Sequence, residues 1–337
     1  MLQISYIFII RDALSSPEAE WSSSRVYIPV LTSDKCEVPS SNLGWATNQN
    51  ERNKMTKSSF PMPGSKQRLA SKIIDYFPKD YDVYCEVFAG TFSVGLACDH
   101  HLTNNVREVL NDHNNCLLNF MDVARRRTDE LVEQLSLVPY SRTLLNTWRE
   151  EWIKTDFKEL DELEKAVRWW YCTKSAFSGW LSPDNKGWQH MSHPSGTTTW
   201  HPRTFRNAIK KSIPAFAKRM ELVQLECRDW ETFIKKYDDG PGVLMYLDPP
   251  YLDSKFYEEG ENKYYGNAWT YEDEERLAEV VNNCTSNIII SNYTHSRMPK
   301  LFPDWRVVSF PRTRVTSVNS KHNGMKFAEE ILLMNYA

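Results

Sequence analysis

The 337-residue chain is long enough for one large domain or two modest ones, and its 41% hydrophobic and 25% charged residues are those of a soluble globular protein. A formal net charge of −3 supplies no global attraction to polyanions, so contact with one needs a local basic patch. Seven scattered cysteines without a C-x-x-C pair argue against a disulfide framework and for reduced thiols in a cytoplasm. The apolar run at 4–10 lacks the length of a membrane span and the basic flank and cleavage site of a leader.

Residues 1–54 are rich in Ser, Asn, Pro and Glu and keep no steady period, so they read as a poorly ordered extension. The organised chain is expected to begin near Met55. Phe60-Pro61-Met62-Pro63-Gly64-Ser65-Lys66 is a loop, after which Leu69, Ile73, Ile74 and Phe77 recur at helical spacing until Pro78. A strand at 83–88 turns through Ala89-Gly90-Thr91 into a helix near Ser93, and a second strand at 108–111 stops on Asp112, implying a right-handed βαβ unit. From 120 to 220 this rhythm breaks. The segment is helical by periodicity to Cys172, then marked by Pro and Gly, and it holds seven of the twelve tryptophans. So long a structureless connection is improbable, so the segment is expected to be an inserted, mainly helical subdomain with most of its tryptophans in its core. The α/β rhythm returns at 222–226, the uncharged run Val243–Leu247, a helix near 271–283 opened by Thr270, and apolar runs at 288–290, 307–308 and 331–333. The expected fold is α/β: a Rossmann-like, seven-stranded, mostly parallel sheet from 55–119 and 221–337, with 120–220 inserted.

Asp248-Pro249-Pro250-Tyr251 sits at the carboxyl end of Val243–Leu247, the edge at which open α/β sheets bind their ligands. The prolines fix φ and remove two N–H donors, so nearby carbonyls can accept hydrogen bonds from something else. A carboxylate beside such a carbonyl grips an NH₂ group, and Tyr251 offers a flat face to a planar ring. Gly90, where a strand turns into a helix, lets backbone approach a ligand. Asp112, about twenty residues on, stands where a ribose would place its two hydroxyls. Together they suggest an adenosine-bearing cofactor. Asp229 ends another strand on the same face and could accept from an adenine amino group. Lys66, after a Pro-Gly turn, could reach a carboxylate as a flexible point charge.

In this order, Pro63-Gly64-Ser65-Lys66, Glu86-Val87-Phe88-Ala89-Gly90, Asn111-Asp112, Asp229 and Asp248-Pro249-Pro250-Tyr251 resemble the DNA adenine methylases of the Dam-like class. Glu275-Arg276-Leu277-Ala278, Ser291-Asn292 and the segment from Glu330 to Tyr336 look like that family's later motifs. The resemblance implies a methyltransferase sheet, S-adenosyl-L-methionine as methyl donor and the N6 amino group of adenine in double-stranded DNA as acceptor. It implies that Lys66, Phe88, Ala89 and Gly90 hold the donor's methionine part, Asp112 its ribose and Asp229 its adenine. Asp248 and the Pro249 carbonyl would hold the target amine, with Pro250 completing the box and Tyr251 stacked on the base. Three positions depart from the family pattern: Phe92 stands where a further glycine is usual, Ser65 where the family has a second glycine, and Ser178 where it has asparagine.

An adenine amino nitrogen is a poor nucleophile because its lone pair is delocalised into the ring. Two N–H bonds to the box would favour a tetrahedral nitrogen and direct transfer, with no cysteine nucleophile required. A target amine is inaccessible within a duplex, so the base must be flipped out. Arg203, Arg206, Lys210 and Lys211, with Lys218 and Arg219, form a basic cluster suited to phosphates. His190, His193 and His201 have no carboxylate or cysteine to complete a metal-ligand spacing. The same box suits an amino group on RNA or on DNA cytosine, and an Asn version suits protein glutamine. Asp248 disfavours glutamine, and the large insert favours a duplex. A catalytically silent DNA-binding module is disfavoured because each proposed pocket position carries a competent side chain.

Overall fold

Val243–Leu247 has no charge to expose, and all five of its side chains are buried. The reason is its place inside a sheet of seven strands: β1 (Val83–Glu86), β2 (Arg107–Asn111), β3 (Val223–Glu226), β4 (Val243–Leu247), β5 (Asn287–Tyr293), β6 (Arg306–Arg314) and β7 (Phe327–Met334). They are ordered β3-β2-β1-β4-β5-β7-β6. β1 to β5 are parallel, and β7 runs antiparallel to both β5 and β6. The computed structural model describes residues 56–179, 181, 187–189, 201–251, 269–295, 297–314 and 327–337. Residues 1–54, expected to form an extension, lie outside the described residues, as do His190, His193, Trp180 and Trp200. Contacts group Met55–Ala337 as one unit.

Alternating side chains of each strand face opposite sides of the sheet. Leu244 and Tyr246 of β4 join one apolar cluster with α1 (Ala70–Ile74) and α2 (Ser93–Ala97), which α3 (Asp99–Thr103) follows. That face also receives α4 (Asn115–Arg126), α5 (Thr128–Leu137), α6 (Arg142–Thr155), α7 (Glu162–Ser175), α8 (His201–Asn207) and α9 (Ile213–Arg219). Val243, Met245 and Leu247 face a second cluster with α10 (Trp230–Tyr237), α11 (Tyr271–Asn282) and α12 (Met298–Leu301). The helix starts are encoded locally. Asn114, Ser141, Asp161 and Asp229 cap α4, α6, α7 and α10, and Thr270 forms a capping box with Asp273 on α11.

The described residues of 120–220 are mainly helical, but their core is not their own. Trp169, Trp170, Phe120 and Phe216 belong to the cluster that also contains Tyr84 and Leu110 of the sheet. Phe60 packs edge-on against Phe120 at 5.4 Å and Trp169 at 5.1 Å, which pins the start of the Lys66 loop to these helices. Trp148, Trp169 and Trp170 are buried in this core. The chain leaves β1 outward to β2 and β3 and then returns to β4 on the other side of β1. The loops after β1 and β4 therefore part over a crevice, the switch point at which such sheets bind ligands.

Candidate active site

The loop after β1 carries Phe88, Ala89 and Gly90. Gly90 has φ +46°, and a Cβ placed there would meet nothing within 4 Å, so open space adjoins the backbone at this turn. Its amide donates to Asp112 Oδ2 at 3.0 Å, and Asp112 Oδ1 accepts from the Asn114 amide at 2.9 Å. The glycine loop and the acid after β2 are thus brought together as expected from their order. Asn111 is the tie that position alone did not reveal. Its Nδ2 donates to the carbonyls of Val87 and Arg228, and its Oδ1 accepts from the Arg228 amide, which fastens the ends of β1, β2 and β3 to one another. Phe88 packs with Trp230 and Trp269, so an aromatic wall borders this end of the crevice. Nothing in the local pattern around Trp269 signalled that role. Asp229 follows β3 at this edge, with Oδ1 capping the amides of Glu231 and Thr232 and Oδ2 4.0 Å from Arg276.

Phe92 occupies the position where a glycine is usual and takes the glycine conformation, with φ 54° and ψ 32°. Its ring is fully buried and fills the space a side chain at Gly95 would need, 1.9 Å from the Cβ position there. The bulky residue therefore points into the core, and the loop keeps its turn. Ser65, the second departure, links the loops: its hydroxyl lies 3.0 Å from that of Thr91 and 2.9 Å from that of Ser93. Gly179, after Ser178, has φ +71°, and Pro61 O is 2.3 Å from where its Cβ would lie. That close approach seats the turn after α7 on the Lys66 loop.

After β4, Asp248 is the centre of a donor cluster. Its Oδ1 accepts from the Tyr251 hydroxyl and from Ser291 Oγ, each at 2.8 Å. Lys66 Nζ straddles the carboxylate, 2.8 Å from Oδ1 and 2.9 Å from Oδ2. The sequence placed Lys66 toward the donor's carboxylate; here it is buried and paired with Asp248. It also lies 3.4 Å from Glu330 Oε1 on β7, donates to Gly64 O at 3.0 Å and sits 4.7 Å over the Tyr251 ring. Burial, then the Asp248 and Glu330 charges, hold the Tyr251 hydroxyl protonated, so it acts as a donor. Burial raises Glu330 above the usual carboxylate range, with Lys66 opposing the shift. Ser291 and Glu330 fall in the segments that resemble the family's later motifs, but only strand pairing shows what they face.

Glu86, at the end of β1, is buried and accepts from the Tyr84 hydroxyl at 2.7 Å and the Gly95 amide at 2.8 Å. Burial, only partly offset by these bonds, raises its pKa to about 8. An unfolded chain releases that proton near pH 4.5 and the folded one near 8, so this contribution to stability is present below 4.5 and lost as pH rises through 8. Glu86→Gln keeps the acceptor oxygen and should remove a slope of about 1 kcal/mol per pH unit across that window. Denaturant melts of both proteins at pH 5 to 8 measure it; parallel curves would exclude the assignment.

The basic cluster is divided by the fold. Lys210 and Lys211 are exposed on Ala208–Ser212, a wide turn closed by the Ile213 amide on Ala208 O, and Arg203 and Lys218 are exposed beside it. Arg206 instead donates to the carbonyls of Leu135, Ser136 and Val138, closing the end of α5. Arg219 corrects the sequence expectation: it is buried and paired bidentately with Glu108, so it offers no charge to a phosphate. His201 is described, and among the described residues no group of three or more His, Cys, Asp or Glu side chains is placed to hold a metal.

A sheet of this order, with its lone antiparallel strand between β5 and β6 and its site at the β1/β4 switch point, is that of an α/β methyltransferase. The chain belongs to the D12 class N6 adenine-specific DNA methyltransferases, whose family model matches residues 63–317. It is similar to the Type II methyltransferase M.FokI of Planomicrobium okeanokoites, 23% identical over 342 residues covering 97% of this chain and 50% of M.FokI. It is also similar to the DNA adenine methylase of Escherichia coli strain K12, 23% identical over 251 residues covering 71% of this chain and 82% of that enzyme. The chain thus spans about half the length of M.FokI.

Proposed function

We propose that this protein methylates the N6 amino group of adenine at specific sites in double-stranded DNA, with S-adenosyl-L-methionine as donor and Asp248 as acceptor for the target amine. The observation that carries the reading is the donor cluster at Asp248: a half-buried carboxylate at a strand end that already holds an ammonium in the manner required of an amine clamp. The residues suit the donor molecule. The open space at Gly90 admits its methionine part alongside Phe88 and Ala89, Asp112 suits its ribose hydroxyls, and Asp229 with the Phe88, Trp230 and Trp269 wall suits its adenine. When bound, the donor supplies an electrophilic methyl group on a sulfonium.

The chain's own residues do the rest. Asp248 and the Pro249 carbonyl draw on the two N–H groups of the amine, orienting its lone pair and stabilising the positive charge that develops on nitrogen. Tyr251 offsets part of the stacking lost when the base leaves the duplex, and Pro250 holds the loop rigid beneath it. Arg203, Lys210 and Lys211 contact phosphates, while Arg206 shapes the surface that carries them. No helix among the described residues is long and apolar enough to cross a membrane. A cytoplasmic site, where the six described cysteines remain free thiols, completes the reading. The test is single-molecule sequencing of DNA from cells lacking other adenine methylation and expressing the chain. N6-methyladenine at a recurring sequence is expected; unmodified adenine, or methyl groups confined to cytosine or RNA, would overturn the reading.

A further inference from the structure

Asp248 receives more donors than an amine clamp can keep while it works. Oδ1 faces Tyr251, Ser291 and Lys66 together, and Lys66 also covers Oδ2. A carboxylate has about four lone-pair sites on its two oxygens. Oδ1 is therefore already full, and an N–H group that enters there must displace a donor, while one that enters at Oδ2 must share it with Lys66. Ser291 is held in place: its hydroxyl also lies 2.9 Å from that of Tyr246 within the sheet. The other two share a second acceptor. Glu330 Oε1 stands 3.4 Å from Lys66 Nζ and 3.4 Å from the Tyr251 hydroxyl.

We propose that Glu330 is a positioning residue for methyl transfer, the carboxylate that takes the Lys66 ammonium and the Tyr251 hydroxyl when the target amine claims Asp248. The proposal rests on the reading of Asp248 as the amine acceptor. β7 makes the arrangement possible. Pairing antiparallel with β5, it sets Glu330 opposite Tyr293, whose ring packs on Tyr251 at 4.7 Å, so the middle of β7 brings a charge beside Asp248. Electrostatics gives the charge its use. A Lys66 ammonium displaced into a buried site without a counter-ion would be strongly disfavoured and would stay on Asp248, competing with the amine. It would also repel the positive charge growing on the target nitrogen. With Glu330 present, the two carboxylates and one ammonium leave the cluster net negative, the sign that charge requires.

The experiment uses the full chain, tritiated S-adenosylmethionine and unmethylated genomic DNA, with calorimetric binding of S-adenosylhomocysteine as a separate readout. Glu330→Gln should lower the rate at saturating donor on the order of 100-fold, while affinity for S-adenosylhomocysteine stays within about twofold. Glu330→Asp, which keeps the charge, should recover part of the rate. Adding Lys66→Met to Glu330→Gln should raise the rate above that of the single variant, since the competitor for Asp248 is gone. A Glu330→Gln enzyme near the wild-type rate, a parallel fall in rate and donor affinity, or a double variant no faster than the single one would overturn the proposal. Failure of the wild-type chain to label adenine would instead overturn the underlying activity, and the proposal with it.

Discussion

Asp248→Ala is expected to lower methyl transfer roughly a thousandfold or more and to leave donor binding largely intact. The side chain is the acceptor on which three donors converge, and none of the backbone tying the glycine loop to Asp112 depends on it. Its removal takes away the charge that would orient the amine and stabilise the cation forming on nitrogen. It also leaves Tyr251, Ser291 and Lys66 to find other partners, at about 1–3 kcal/mol for each group left buried and unsatisfied. Lys66 retains Glu330 and Gly64 O, and Ser291 retains Tyr246, so the loss of stability should be moderate. Asp248→Asn separates the two effects. It keeps the volume and one acceptor oxygen, loses the charge, and should be nearly as inactive while melting close to wild type. Label incorporation measures the rate and calorimetry with S-adenosylhomocysteine the binding; turnover near wild type in either variant would refute the role.

How much of this could be read from the chain follows from the range of the interactions involved. Val243–Leu247 was legible because five uncharged residues ending on an acid leave little choice beyond a buried strand, and all five are buried. Thr270 was legible because a cap is settled within four residues. The strand expected at 83–88 ends at Glu86, and the helix expected through Phe77 is α-helical only over Ala70–Ile74. After Glu86 the chain turns toward the crevice through Gly90. After Ile74 it tightens into a turn, with the Tyr76 and Phe77 amides on the carbonyls of Ile73 and Ile74, that packs Phe77 on Tyr81 and Tyr84. In both places tertiary position overrides local propensity. Gly90 and Asp112 were found by spacing, since each lies one loop beyond a recognisable strand. Glu330, Ser291 and Asn111 fall in motifs that the resemblance picks out, but their partners are set by pairings across more than twenty residues, which periodicity cannot supply. The basic cluster shows the opposite error. Arg219 looks like Lys210 and Lys211 in the sequence, and only the turn of α9 decides that it faces Glu108.

That burial makes Arg219→Met the most destabilising of the changes considered, at about 3–5 kcal/mol, a typical cost for removing one partner of a buried ion pair. The guanidinium donates to both oxygens of Glu108 at 2.6 Å and to Gly95 O at 2.9 Å. Glu108 in turn meets His101 Nδ1 at 2.7 Å, whose Nε2 lies 2.9 Å from the Tyr81 hydroxyl. Burial would raise the Glu108 pKa, but the bonds from His101 and Arg219 outweigh it and hold the carboxylate below its usual range. Without Arg219 that charge is buried against His101 alone, whose own pKa is lowered by burial. The melting temperature should fall on the order of 10 °C. Arg219→Met combined with Glu108→Gln should melt above the single variant, because no orphaned charge remains. The same guanidinium lies 5.6 Å over the Phe92 ring, and it holds the carbonyl of Gly95, the residue whose missing side chain makes room for that ring. Arg219 closes α9, so the helical insert holds in place the loop that turns through Gly90. The single variant should therefore bind S-adenosylhomocysteine more weakly at temperatures well below its melting point. Unchanged affinity in a destabilised protein would show that the insert supports the fold without setting the loop.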